Sequence, residues 1–107
     1  MYNIKYNFEI EETAEFTTWL KSLHNVDARA RINVRLRRLS LTGNYGDAKS
    51  IGGGIYELRL DMGPGYRIYF AKRRRKQILL LIGGDKSTQI RDIDKARRLK
   101  SVYLQKG

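Results

Sequence analysis

The stretch IYELRLDMGPGYRIYFA, residues 55–71, predicts a β-hairpin and decides the fold. Apolar and polar side chains alternate in both halves, the pattern of half-buried strands. The central DMGPG segment contains two glycines, which adopt positive φ readily and favour a turn. Symmetric pairing about Gly63 therefore predicts that Arg59 lies directly opposite Arg67.

This pairing gives the hairpin one core face and one polar face. The core face carries Tyr56, Leu58, Leu60, Tyr66, Ile68 and Phe70, and the polar face carries Glu57, Arg59, Arg67 and Tyr69. Like charges directly opposite on a sheet are destabilising, so the facing arginines predict an anion between them. Two guanidiniums suit phosphate oxygens, and Glu57 and Tyr69 are each capable of proton transfer. The alternative is a solvated face on which Glu57 pairs with the arginines.

The first half of the chain predicts a strand followed by two helices. Residues 2–10 alternate weakly and predict the strand, after which Thr13 is the expected N-cap of a helix and Asp27 that of the next. The apolar stripes of the two helices are Phe16, Trp19, Leu20 and Leu23 for the first, and Ile32, Leu36 and Leu39 for the second. The short link between them predicts an antiparallel helical hairpin.

The second half predicts a loop over residues 43–54, the β-hairpin, an exposed basic turn at residues 72–76 and a buried strand over residues 78–82. Ser87 or Thr88 is expected to cap a last helix, whose inward side is formed by Ile90, Ile93 and Leu99. The 107 residues thus predict one α+β domain: a small, mainly antiparallel sheet, with the helical hairpin on one face and a C-terminal helix.

Charge indicates the class of partner. The chain has 22 Lys and Arg against 11 Asp and Glu, a net charge of +11 that favours polyanions, nucleic acid first. The predicted RNA contacts are Arg35, Arg38, Lys72, Arg73, Arg74, Arg75 and Ser87. The absence of cysteine excludes disulfides and thiolate metal sites. No apolar run reaches membrane-spanning length and no signal peptide is evident, so we expect a cytoplasmic protein without a membrane partner.

Familiar catalytic motifs are absent from the sequence. It contains no GxSxG, HExxH or Walker motif, and we expect neither a metal nor a cofactor. Gly83 and Gly84 follow a predicted strand and precede a predicted helix. Their amides and the helix N-terminus suit a phosphate, but a tight strand-to-helix turn explains the spacing equally well.

Three segments together resemble the RelE/ParE toxin superfamily, and most closely its HigB-like addiction module killer branch. They are IYELR at residues 55–59, GPGYRIYF at residues 63–70 and LLIGGDKSTQ at residues 80–89, followed by Asp92, Ile93 and Ala96. The resemblance extends over about residues 8–99. It implies a small antiparallel sheet with a packed helical hairpin. It also implies a toxin that cleaves mRNA, commonly on the ribosome, by in-line attack of the ribose 2′-OH.

The same resemblance implies roles for individual residues. Arg67 matches the family's arginine in its Gly-Tyr-Arg segment, and Arg59 and Lys86 match basic positions on the preceding strand and after the last strand. Glu57 occupies a place where RelE has a lysine, and Asp92 occupies that of a RelE tyrosine. These departures leave open a ParE-like inhibitor of DNA gyrase or a nucleic-acid-binding module without chemistry. The resemblance further implies a cognate antitoxin, often a helix-turn-helix protein.

Overall fold

The computed structural model describes residues 8–42 and 48–104, which form a five-stranded sheet with helices on both faces. The elements in chain order are β1 (Glu9–Glu12), α1 (Ala14–Ser22), α2 (Val26–Thr42), β2 (Lys49–Ser50), β3 (Ile55–Leu60), β4 (Tyr66–Arg74), β5 (Gln77–Gly84) and α3 (Gln89–Leu104). A single 3₁₀ turn, Lys86–Thr88, precedes α3. Most of the strand predicted for residues 2–10, and residues 43–47 of the predicted loop, lie outside the described ranges.

The sheet is mixed, with strand order β1-β5-β4-β3-β2. The pairs β2–β3, β3–β4 and β4–β5 are antiparallel, whereas β1 runs parallel to β5. Parallel neighbours need a long crossover, and here the chain between β1 and β5 supplies it. The predicted α+β class is confirmed, but the sequence did not predict that the edge strand β1 is parallel to its neighbour.

The core face of the β-hairpin packs against the first two helices. Phe16 of α1 and Ile32, Leu36 and Leu39 of α2 form one buried cluster with the sheet residues Leu58, Ile68, Phe70 and Leu80. The apolar stripes predicted for these helices are therefore confirmed, because they supply the side chains of this cluster. The antiparallel hairpin arrangement of α1 and α2 stays a prediction.

Helix α3 covers the opposite face of the sheet. Its Ala96 and Leu99 pack against Ile55, Tyr69, Ala71, Leu79 and Leu81. The prediction that Ile90 points inward is wrong, since this side chain is 86% exposed. Asp92 joins Ala96 and Leu99 on the buried side, where its carboxylate accepts a hydrogen bond from the Thr88 hydroxyl.

The helix starts are capped by one predicted residue and two others. Thr13 caps α1 as predicted, its hydroxyl accepting from the Phe16 amide at 2.9 Å. At α2 the prediction of Asp27 is wrong, because the side chain of Asn25 accepts from the Ala28 amide at 3.0 Å. Before α3 the prediction of Ser87 or Thr88 is wrong, because the N-cap is Asp85; the Thr88 hydroxyl accepts from the Asp85 amide at 3.1 Å within the same capping box.

Two strands are longer than predicted. The strand β4 continues to Arg74, so the basic turn consists only of residues 75 and 76. The strand β5 includes Gly83 and Gly84, which pair with Ile68 and Arg67. The predicted loop also contains the short strand β2, paired with β3.

No helix in the described ranges is both long and apolar enough to cross a membrane.

Candidate functional site

The predicted register of the β-hairpin is confirmed. Arg59 lies directly opposite Arg67, and Glu57 lies opposite Tyr69 on the same face. The side chain of Arg67 is 10% exposed, whereas that of Arg59 is 48% exposed. The two facing guanidiniums thus belong to one site but occupy different depths, one inside the protein and one at its surface.

The anion predicted between the arginines is supplied in part by the protein itself. The side chain of Glu57 is completely buried. Its Oε1 accepts a hydrogen bond from Arg59 Nε at 3.2 Å, and its Oε2 lies 3.7 Å from Arg67 Nε. A buried carboxylate therefore offsets the repulsion between the two cations. The arrangement Arg59–Arg67 alone is consequently no evidence for an external ligand.

Two further donors converge on the carboxylate of Glu57. Tyr69 donates its hydroxyl to Oε2 at 3.0 Å, and Gln89 donates its Nε2–H to the same oxygen at 2.7 Å. Gln89 is the first residue of α3 and was not singled out by the sequence. No local pattern marks it, because its partner lies 32 positions earlier in the chain.

Protonation within this network is fixed at neutral pH. Burial alone would raise the pKa of Glu57, but hydrogen bonds from Gln89, Arg59 and Tyr69 bring it below its usual value of 4.5. Burial and the neighbouring charge of Glu57 raise the pKa of Tyr69. Glu57 is therefore an anion and Tyr69 a neutral donor, and both are completely buried. Neither side chain is exposed to solvent, so neither can take a proton directly from a bound substrate.

Arg67 has hydrogen-bonding capacity that the described residues do not use. Its Nε and Nη1 are buried and have no hydrogen-bond partner among those residues. A buried donor without a partner is costly, and an oxygen-rich anion would satisfy it. Arg67 lines an open pocket of about 390 Å³, here called the hairpin-tip pocket. The pocket is lined by Arg59, Leu60, Asp61, Gly65, Tyr66, Arg67 and Lys86.

Lys86 is brought to the hairpin-tip pocket by the turn between β3 and β4. Its backbone amide donates to the carbonyl of Pro64 at 3.4 Å. Gly65 lies beside Lys86 and has φ of +79°, a backbone conformation that favours glycine. The structure therefore brings together Arg59, Arg67 and Lys86, which the sequence nominated separately.

The arginines of α2 extend the basic surface. Arg31, Arg35 and Arg38 line a groove of about 290 Å³ together with Arg59 and Asp61. We call it the α2 groove. It shares Arg59, Leu60 and Asp61 with the hairpin-tip pocket, so the two form one continuous concave surface. The predicted RNA contacts Arg35 and Arg38 thus lie next to the pocket.

The other predicted RNA contacts are placed differently. Lys72, Arg73, Arg74 and Arg75 are exposed at the far end of β4. Arg74 lies seven positions after Arg67 along the strand, a distance of about 23 Å. Within this group Arg73 pairs with Glu11 at 2.7 Å. This segment is therefore separate from the hairpin-tip pocket.

The helix N-terminus after β5 is already occupied by protein groups. Asp85 accepts from the Ser87 amide at 2.8 Å and from the Ser87 hydroxyl at 2.6 Å, contacts that lower the pKa of Asp85. Ser87, a predicted RNA contact, is exposed but serves this cap.

The space beside the two glycines of β5 is also filled. A Cβ on Gly84 would lie 1.8 Å from the Asp92 carboxylate, and one on Gly83 would lie 2.2 Å from the Trp19 ring. The tight strand-to-helix turn predicted as one interpretation of Gly83 and Gly84 is wrong, because both residues belong to β5. The close neighbours also leave no space for a phosphate beside them.

Comparisons with known proteins give a family and a fold. The sequence profile of the family described as Phage derived protein Gp49-like matches residues 18–101. An uncharacterised protein of Haemophilus influenzae is 48% identical over 91 residues, which are 85% of this chain and 91% of that protein. A mutant of the E. coli toxin RelE in the free state has a similar structure, with a TM-score of 0.69 and 14% identity. That match covers 87% of this chain and 96% of the RelE chain.

Proposed function

The chain belongs to the Phage derived protein Gp49-like family and has a RelE-like fold, and from this premise we propose that it is a toxin that cleaves mRNA. We assign it to a type II toxin–antitoxin module of the HigB-like kind. The observation that carries the proposal is Arg67, which has two buried donors without a hydrogen-bond partner among the described residues and lines a pocket together with Arg59 and Lys86. A phosphodiester offers the oxygen acceptors that these donors lack.

The proposed reaction is an internal transesterification of RNA. The ribose 2′-oxygen loses its proton and attacks the adjacent phosphorus, and the bond from phosphorus to the 5′-oxygen breaks. The 5′-oxygen takes a proton from water, so that a 2′,3′-cyclic phosphate and a 5′-hydroxyl remain. Negative charge on the phosphoryl oxygens grows in the pentavalent transition state. Arg67 stabilises that charge most strongly, because its guanidinium is the most buried of the three cations. Arg59 and Lys86 hold the phosphate from the rim of the pocket.

Proton transfer is the smaller part of the proposed mechanism. Glu57 and Tyr69, both nominated for it by the sequence, are buried and bonded to each other. We therefore assign them to positioning Arg59 and Arg67. Asp61 lines the pocket and is exposed, so it is the carboxylate that can accept a proton from the 2′-OH. Alignment of the 2′-oxygen and charge stabilisation supply most of the rate.

The α2 groove is proposed as the path of the RNA strand beside the cleaved phosphate. Its arginines are spaced at i, i+4 and i+7 on one helix, and they continue into Arg59 at the pocket. Such a row of cations binds phosphates independently of sequence and loses affinity as salt rises. We propose that mRNA on the ribosome is the substrate, which makes the cytoplasm the site of action.

An antitoxin is the proposed protein partner. A net charge of +11 favours an acidic partner, and covering the hairpin-tip pocket would block access to the phosphate. We propose that this partner is a helix-turn-helix protein, as the resemblance to addiction modules implies.

Induced expression separates this proposal from its two alternatives. Protein synthesis, mRNA integrity and DNA supercoiling are followed in the same culture over the first minutes after induction. The proposal predicts that translation stops first and that new mRNA ends appear within coding regions. Intact mRNA with accumulating gyrase–DNA cleavage complexes would support a ParE-like inhibitor instead. Growth without either effect would indicate a binding module without chemistry.

A further inference from the structure

Gln89 stands at the junction between the hairpin network and α3. Its Nε2 lies 2.7 Å from Glu57 Oε2, the shortest of the contacts made to that carboxylate. Tyr69 contacts the same oxygen at 3.0 Å. A carboxylate oxygen has two lone-pair sites, so these two neutral donors occupy Oε2 fully.

Arg67 is excluded from this oxygen. Its Nε lies 3.7 Å from Oε2, near enough for an ion pair but beyond the range of a hydrogen bond. Arg67 nevertheless points into the network, and its Nε and Nη1 remain without a hydrogen-bond partner among the described residues. An arginine and a buried carboxylate normally form a direct hydrogen-bonded pair, so this separation needs an explanation.

We propose that Gln89 is a positioning residue that keeps Arg67 available for phosphate by occupying Glu57 Oε2. The charge of Glu57 holds the guanidinium in place, while Gln89 and Tyr69 prevent the carboxylate from taking its N–H groups. This inference rests on the proposed function of the hairpin-tip pocket as a phosphate site. It adds a residue that is not among those lining the hairpin-tip pocket.

The fold contains a matched control for this contact. Gln77, at the start of β5, donates its Nε2–H to Glu9 Oε1 at 2.7 Å, the same distance as in the contact of Gln89. That pair is exposed and lies at the end of the sheet away from the pocket. Methionine in place of either glutamine retains the length of the side chain and removes the donor.

The test is a titration with inorganic phosphate, followed through the Nε–H resonance of Arg67 by NMR. Wild type, Gln89→Met and Gln77→Met are compared at a temperature where each is fully folded. In Gln89→Met the freed Oε2 should accept from Arg67 Nε. The resonance should then shift without phosphate, and phosphate affinity should fall about ten- to a hundredfold. Gln77→Met should bind phosphate as the wild type does.

Each other result has a defined meaning. A lower melting temperature in Gln89→Met with unchanged phosphate affinity would give Gln89 a purely structural role and overturn the inference, leaving the phosphate site intact. Failure of the wild type to bind phosphate would overturn the assignment of the hairpin-tip pocket as a phosphate site. If Gln89→Met does not fold, Tyr69→Phe removes the other donor to Oε2. It is expected to weaken phosphate binding in the same way, and wild-type affinity in that variant would contradict the inference.

Discussion

Two basic regions lie at opposite ends of β4, and they differ in what surrounds their charges. At one end Lys72, Arg73, Arg74 and Arg75 form a dense run of exposed cations. At the other end Arg59, Arg67 and Lys86 come from three separate segments and meet around a pocket. The denser run is the more conspicuous in the sequence, yet the dispersed group has the features of a site.

Burial accounts for the difference between the two regions. An exposed cation interacts with its partners through water, so its contribution is small and is screened by salt. Arg67 is held inside the protein next to a buried carboxylate, and two of its polar atoms lack a hydrogen-bond partner among the described residues. Many exposed charges therefore indicate only a basic surface. Buried charges that have hydrogen-bond donors without a partner indicate a candidate functional site.

The strongest test of the comparison is removal of Arg67. Arg67→Ala should lower the rate of RNA cleavage by about 10²–10³-fold, because it removes a buried donor to the transition state. Cleavage of mRNA on purified ribosomes, at equal concentrations of the two proteins, measures the effect, with circular dichroism as the control for folding. Equal rates for the variant and the wild type would remove Arg67 from the site.

Glu57 should matter for stability more than for chemistry. Glu57→Gln leaves Arg67 without its counter-charge and should cost about 3 kcal/mol in the free energy of unfolding. The folded protein should lose less than about tenfold in cleavage rate, whereas loss of a general base typically costs 10²-fold or more. Urea unfolding and cleavage assays on the same samples separate these effects, and a rate loss of 10²-fold or more in folded protein would make Glu57 the base.

The difference in the free energy of unfolding between wild type and Glu57→Gln should depend on pH, and the pKa of Glu57 fixes the direction of that dependence. The pKa of Glu57 in the folded protein lies below 4.5, so its charge stabilises the fold above that pH. This contribution is lost as pH falls through the folded-state pKa. The stability gap between wild type and Glu57→Gln should therefore be constant from pH 7 to about 5 and shrink below about 4.5. A gap that widens on acidification would contradict the assigned charge.

Residues at the rim of the hairpin-tip pocket should have intermediate effects. Arg59→Ala and Lys86→Ala should each reduce cleavage by about tenfold, since solvent weakens the interaction of an exposed cation with phosphate. The comparison predicts that Arg67→Ala exceeds both. A larger loss from either rim residue than from Arg67 would reverse the ranking that burial implies.

The smallest effect is expected at the far end of β4. Arg74→Gln combined with Arg75→Gln should change the cleavage of ribosome-bound mRNA by less than about twofold, because Arg74 lies about 23 Å along the strand from Arg67. A loss of tenfold or more in the same assay would extend the functional surface to this end.

Local sequence patterns predicted the parts of the fold that depend on neighbours in the chain. The alternation over residues 55–71 gave the register that places Arg59 opposite Arg67, and the spacing of Ile32, Leu36 and Leu39 gave the buried side of α2. The parallel pairing of β1 with β5 joins distant segments and has no local signature.

The candidate site was predictable to a smaller extent. Three of its cations were nominated individually, but Gln89 was not, because its role depends on how α3 packs across the sheet. The inward side of α3 was predicted correctly at Ile93 and Leu99, which pack against the sheet, and wrongly at Ile90. Periodicity favoured Ile90 as an inward residue. In the structure Asp92 lies on the buried side of α3 instead, where it contacts Thr88 and closely approaches Gly84.

The central claim is that Arg67 promotes cleavage of RNA through the ribose 2′-OH. The most direct measurement uses purified ribosomes programmed with an mRNA that carries either ribose or 2′-deoxyribose at the mapped cleavage nucleotide. The wild type should cut the all-ribose mRNA and leave 5′-hydroxyl ends. The deoxy substitution should block the cut, and Arg67→Ala should cut neither mRNA at a rate comparable to that of the wild type. Cleavage that persists on the deoxy substrate, or that Arg67→Ala retains in full, would show that Arg67 does not act through the ribose 2′-OH.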